Sequence, residues 1–115
     1  MTRAKRKTRK FIRWLFAICD YPEIPVYIHW YHPAIATETG YGFGVFSYRM
    51  QGNSEPCIHV AGKKLGTSAV MRIIAHEYAH YLQWKQGYDM DDENNEDVAE
   101  IIADKLLKKY RERKK

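Results

Sequence analysis

The sequence predicts a small α+β domain: an N-terminal helix, a three-stranded and largely antiparallel sheet, a buried helix carrying HEYAH, and a C-terminal helix. Three observations predict it. Apolar residues recur at three- and four-residue spacings near both ends of the chain. Between them lie short β-branched and aromatic runs separated by Pro, Gly and Asn. A longer stretch, from Gly66 to Gly87, is apolar on nearly every side of a helical projection, as in a buried helix. With 115 residues, the chain suits one domain spanning 1–115, with basic tails at 1–10 and 111–115.

Residues 8–19 read as the first helix, with Phe11, Leu15 and Ile18 beside Ile12, Phe16 and Cys19. Pro22 and Pro25 end it, because a proline disfavours helix on its N-terminal side. VYIHWY (26–31) reads as a strand and HPAIATETG as a connection. YGFGVFSYRM (41–50) reads as a second strand, with Gly42 and Gly44 marking a bulge. QGNSEP supplies turn chemistry, and CIHVAG (57–62) is a third strand that pairs antiparallel with the second. Thr67 or Ser68 is placed to cap the next helix and Gly87 to end it. After the acidic YDMDDENN, Asn94 or Asn95 is placed to cap the last helix, whose stripe is Val98, Ile101, Ile102, Leu106, Leu107 and Tyr110.

Charge is laid out unevenly. Seven of the 19 Lys/Arg lie in 3–13 and seven more in 105–115, while eight of the 14 acids lie in 89–104. Basic ends of this kind can hold nucleic-acid phosphates or simply aid solubility, and no recognition module accompanies them. Cys19 and Cys57 form neither a CxxC pair nor a disulfide framework, which predicts a reduced, cytoplasmic protein. TRAKRKTRK followed by FIRWLFAIC resembles the start of a signal peptide. Arg13 interrupts the apolar run, however, Asp20 follows it, and no small-x-small cleavage site appears. The run is also too short to span a bilayer, so the expectation is a helix packed on a monomeric domain.

The chemistry concentrates in HEYAH, 76–80. At about 100° per residue, His76 and His80 face the same way and lie about 6 Å apart along the helix axis. Glu77 flanks the point where their rings meet. This is the HExxH arrangement, two zinc ligands with a carboxylate beside the bound water. A catalytic zinc needs a third protein ligand, and the sequence after His80, YLQWKQG, supplies none. The final helix offers Glu96, Glu100 and Asp104. Relative to its apolar stripe these lie at about 80°, 120° and 160°, which favours Glu96, with Glu100 the alternative. Ala99 and Ala103 on the Glu96 side leave room for close approach of the two helices. Glu100 is then placed either to accept the free ring N–H of a ligand histidine, His76 foremost, or to stand solvated. His29 and His32 read as structural or surface residues, and His59 as packed or solvated.

HEYAH followed by NEDVAEIIA resembles the gluzincin metallopeptidases, in which a glutamate on a downstream helix completes the zinc site within an N-E-x-x-small-acid pattern. Here Asn95, Glu96, Ala99 and Glu100 occupy those places. The scale and the Glu96, Ala99, Ala103 spacing are similar to the small ImmA/IrrE-type and SprT-like domains. The resemblance covers roughly residues 56–107. It departs where Glu100 stands, since the larger gluzincins mostly carry aspartate there. It implies a Zn2+-dependent peptidase acting on a protein or peptide, with His76, His80 and Glu96 as ligands and Glu77 as general base. It also implies that an edge strand before the motif helix holds the substrate extended, with CIHVAG the candidate. Tyr41, Tyr48 and His59 are candidates for stabilising the oxyanion. The alternative is a catalytically silent zinc-binding regulator, DNA-associated through its basic tails. A third arrangement lays the basic N-terminal segment across the cleft.

Overall fold

The computed structural model describes residues 2–19, 21–37, 40–48 and 55–113. Helix α1 (Arg3–Ile18) is followed by strands β1 (Val26–His29), β2 (Ile35–Thr37), β3 (Gly40–Gly42), β4 (Gly44–Ser47) and β5 (Cys57–Ala61), then helices α2 (Thr67–Lys85) and α3 (Asn94–Glu112). The α+β class is as expected. The three-stranded sheet has the order β1-β5-β4, parallel between β1 and β5 and antiparallel between β4 and β5. Strands β2 and β3 form a separate antiparallel ribbon.

Several elements differ from expectation, each for a physical reason. α1 begins at Arg3 rather than residue 8, because the Thr2 hydroxyl accepts the Lys5 N–H (3.2 Å) and caps the helix one turn into the basic run. The expected strand 41–50 divides at Phe43 into β3 and β4, which belong to different sheets. The expected connection before it contains β2, and β3 turns back onto β2 through Gly40, whose φ of +130° only glycine adopts readily. Arg49 and Met50, and most of QGNSEP, lie outside the described residues. β5 is no edge strand: it is flanked on both sides, and the sheet edge nearest α2 is β4.

The caps of the later helices also shift. Gly66, not Thr67 or Ser68, is the N-cap of α2, with no side-chain bond. α2 ends as Gly87 predicts. With φ at +82°, Gly87 donates its N–H to the Trp84 carbonyl, and Tyr88 donates to that of Gln83, a Schellman closure. Glu93 is the N-cap of α3 and makes no side-chain bond, while Asp92 accepts the Asn94 N–H (2.9 Å). Asn95 is occupied elsewhere, donating its side-chain amide to the Asp89 carbonyl (2.6 Å).

One face of the sheet, carrying Val26, Ile28, Phe46, Ile58 and Val60, packs on the helices. The core continues through Phe11, Leu15, Val70, Ile74, Tyr78, Tyr81 and Leu107. Burying a side chain of this size stabilises by ~1.5–3 kcal/mol. Two of the buried tyrosines keep their hydroxyls satisfied on backbone carbonyls, Tyr78 on Leu15 (3.3 Å) and Tyr81 on Pro22 (2.6 Å). These bonds tie α1 and the segment after it to α2. α2 and α3 form the most extensive helix–helix contact, with Ala75 and Ala79 of one and Ala99 and Ala103 of the other fully buried. Small residues on both sides let the two backbones approach closely. No helix among the described residues is long and apolar enough to cross a membrane.

Candidate metal centre

The α2–α3 seam carries two ladders of side chains at four-residue spacing. Arg72, His76 and His80 lie along one edge of α2, and Glu96, Glu100 and Asp104 run antiparallel to them on α3. The Arg72 guanidinium pairs with Asp104 (2.8 Å) and Glu100 (2.7 Å). Glu100 Oε2 lies 3.0 Å from His76 Nδ1. Glu96 reaches both imidazoles: its Oε2 is 3.0 Å from His76 Nε2 and its Oε1 is 3.0 Å from His80 Nε2.

Donor and acceptor accounting decides what this cluster can hold. A carboxylate only accepts, so a neutral His76 with its proton on Nδ1 donates it to Glu100 and turns a bare Nε2 toward Glu96. Gln83 does the same for His80. Its Nε2 donates to the Asn95 carbonyl (3.0 Å), which orients the amide so that Oε1 accepts from His80 Nδ1 (2.8 Å). Both Nε2 lone pairs and one carboxylate then converge, with the two Nε2 atoms 3.2 Å apart. In that tautomer three acceptors meet, and a cation among them would satisfy all three. Four-coordinate zinc with bonds of 2.0–2.1 Å sets its ligand atoms about 3.3 Å apart, close to the spacings seen. Among the described residues, His76, His80 and Glu96 form the group able to hold a metal ion. The residues present therefore fit a divalent metal with nitrogen and oxygen donors.

Gln83 escaped the sequence reading. Its signal was present: a buried helix carries an amide one turn after His80, and a buried amide must find partners. Gln83 is 1% exposed and both ends of its amide are engaged. Rotation about the α3 axis also misjudged burial. The Glu96 side chain is 70% exposed and that of Glu100 only 44%, the reverse of the expected order, because Glu100 is held against His76 and Arg72.

Glu77 lies one residue round the helix, buried under β4. Burial pushes its carboxyl up to about 7. His76 works against that rise, the Glu96 carboxylate adds to it, and the N–H that Phe46 donates opposes it. β4 can lie this close only because residue 44 is glycine. A Cβ there would fall 2.5 Å from Ile73 Cγ2 and 3.1 Å from Glu77 Cγ and Oε2. The result is a cleft of about 590 Å³ between β4, the β2–β3 ribbon and the α2–α3 seam, lined by His76, Glu77, His80 and Glu96.

Tyr41 and Tyr48 also line this cleft. His59 does not. Its register partner is Val45, and on the face of the sheet opposite Phe46 and α2 it lines a neighbouring depression with His29 and His32. It pairs there with His29 across 2.9 Å. No residue of α1 lines the cleft, so the basic segment is not laid across it; α1 packs instead on α2 and α3. Comparison with protein-family models, with curated proteins and with solved structures finds no match for this chain.

Proposed function

We propose that the chain is a zinc-dependent peptidase that cleaves within a protein or peptide chain. One observation carries this reading: two imidazole Nε2 atoms and the Glu96 carboxylate converge at the wall of an open cleft, with the buried Glu77 carboxyl on the same wall. His76, His80 and Glu96 would hold the ion, a donor set that suits zinc by ligand type. Zinc bound there would supply Lewis acidity, acidifying a water and polarising the peptide carbonyl.

The remaining steps belong to the protein. Glu77 takes the proton of the attacking water and later delivers it to the leaving amine. Gln83 and Glu100 keep the Nε2 lone pairs of the two imidazoles aimed at one point. β4, at the sheet edge, offers backbone groups along the cleft to which an extended peptide can add as a strand. Tyr41 and Tyr48, two of the hydroxyl-bearing residues that line the cleft, are the candidates for stabilising the developing oxyanion.

The test is cleavage of an unfolded fluorogenic protein by the zinc-loaded chain, beside Glu77→Gln. The expected result is one zinc per chain in both proteins and a fall in cleavage of about 10²–10⁴-fold in the variant. Equal cleavage by both would remove Glu77 as the base. One bound zinc without any cleavage would leave a metal-holding scaffold in place of an enzyme.

A further inference from the structure

The two basic runs of the sequence are both helical and meet at one end of the fold. The Tyr110 ring of α3 packs edge-on against Phe11 (4.8 Å between centroids) and Trp14 (5.0 Å) of α1. Within one helical turn of this contact along the two helices stand Lys7, Lys10 and Arg13 on α1, Lys109 and Arg111 on α3, and Arg113 at the C-cap of α3. Fourteen residues separate Tyr110 from Glu96, so the contact lies about 20 Å along α3 from the candidate metal centre.

The two helices hold their charge very differently. α3 has Glu96 and Asp97 in its first turn and Lys109 and Arg111 in its last, in line with the helix dipole. α1 runs against it. Arg3, Lys5, Arg6, Lys7, Arg9, Lys10 and Arg13 fill its first three turns, and the helix contains no acid. Cations at the positive end of a dipole, and like charges at i, i+4, both destabilise a helix. Arg3, Arg6, Lys7 and Lys10 form one stripe and line a single shallow depression. A bound polyanion would relieve both strains at once.

We infer that this end of the molecule, the α1 stripe continued by the last turns of α3, is a docking surface for the phosphate backbone of duplex nucleic acid, read without regard to sequence. The stripe from Arg3 to Lys10 is about 10 Å long, the length over which one strand of a duplex presents about three phosphates. An anionic membrane fits less well, since the apolar face of α1, Phe11, Leu15 and Phe16, is already buried in the core and cannot insert. Single strands fit less well too: no aromatic lines the depression of Arg3, Arg6, Lys7 and Lys10, and the exposed ring nearest α1, Tyr27, lies instead beside Lys5 and Arg9.

The inference is independent of the peptidase reading and is tested without it. Binding of the full chain to a labelled 20-base-pair duplex of arbitrary sequence would be followed by fluorescence anisotropy from 50 to 300 mM salt. Anionic phospholipid vesicles and a single strand of equal length serve as competitors. The expected result is a log–log salt slope that falls by about 3–4 in R3Q/R6Q/K7Q/K10Q. K63Q/K64Q, on the turn before α2, should leave the slope unchanged. The quadruple variant also removes cations that strain α1, so its melting temperature should hold or rise, which separates lost binding from lost folding. An unchanged slope in that variant, or displacement of the duplex by vesicles or single strand at lower phosphate concentration than by unlabelled duplex, would overturn the assignment.

Discussion

The five histidines fall into two groups on opposite faces of the sheet, and the groups differ in what occupies their second nitrogens. In the α2–α3 seam, Glu100 and Gln83 stand behind the Nδ1 atoms of His76 and His80, so both Nε2 atoms face inward beside Glu96. On the outer face, His29 and His59 share a proton between them across 2.9 Å, their rings within 9° of parallel. His32 stands edge-on to His29 at 5.5 Å. One lone pair is thus consumed inside the outer pair, and among the described residues no carboxylate joins it. Closeness of histidines does not make a metal centre. The partners behind the rings decide whether two lone pairs converge or one ring satisfies the other.

The largest expected effect tests this contrast directly. Truncating His76, His80 or Glu96 to alanine should lower zinc affinity by roughly three orders of magnitude or more in competition with a chromophoric chelator. His29→Ala and His59→Ala should leave both affinity and the stoichiometry of one unchanged. A second zinc lost on changing His29 or His59 would break the comparison.

The next effect concerns Glu77, whose burial beside the seam has no counterpart on the outer face. Its carboxyl has an ordinary value of 4.5 unfolded and about 7 in the metal-free fold. The protonated form is therefore favoured by folding. Any stability it contributes is complete below pH 4.5 and is lost as the pH rises through 7. Metal-free Glu77→Gln should match the native chain in chemical denaturation at pH 4 and exceed it above pH 7 by up to about 3 kcal/mol. An equal difference at both pH values would mean that the carboxyl titrates normally.

Removing a partner behind a ring should cost less than removing a ligand. Gln83→Leu keeps the volume but frees His80 Nδ1, and should weaken zinc binding by about 10–100-fold. Gln83→Glu restores an acceptor and should recover part of the loss, which simple loss of packing would not allow. The smallest effect lies on the outer face. Burial, and then the charge of His29, hold His59 below the usual histidine value. A base depressed in the fold withdraws stability as the pH falls through 6.5. His59→Gln should flatten that slight acid sensitivity between pH 7 and 5 in thermal melts.

The legible parts of the molecule were those governed by local geometry. The placing of His76 and His80 on one face follows from helical rotation alone, and so does the reach of α3 carboxylates at four-residue intervals. The rest depended on what lies across from a residue. Rotation could not show that Arg72 would draw Glu100 inward while Glu96 stayed exposed. Strand order is a long-range property, so CIHVAG read as an edge strand although β1 closes its second side. Three-residue strands such as β2 and β3 bury too little to leave an alternating pattern. Gln83 looked like one more polar letter because its two partners, His80 and the Asn95 carbonyl, lie on different helices.

The seam ladders have equal rungs. Glu96, Glu100 and Asp104 are all carboxylates one turn apart, so sliding α3 by a single turn, about 6 Å, would still set an acid opposite every base. Charge pairing alone cannot tell which rung is first. The ends of the ladder can, because a slide one way brings Lys108, a second cation, to the place Asp104 holds beside Arg72, and a slide the other way carries His80 beyond the start of α3 at Asn94. Those two ends work as stops, setting the phase of one helix against the other.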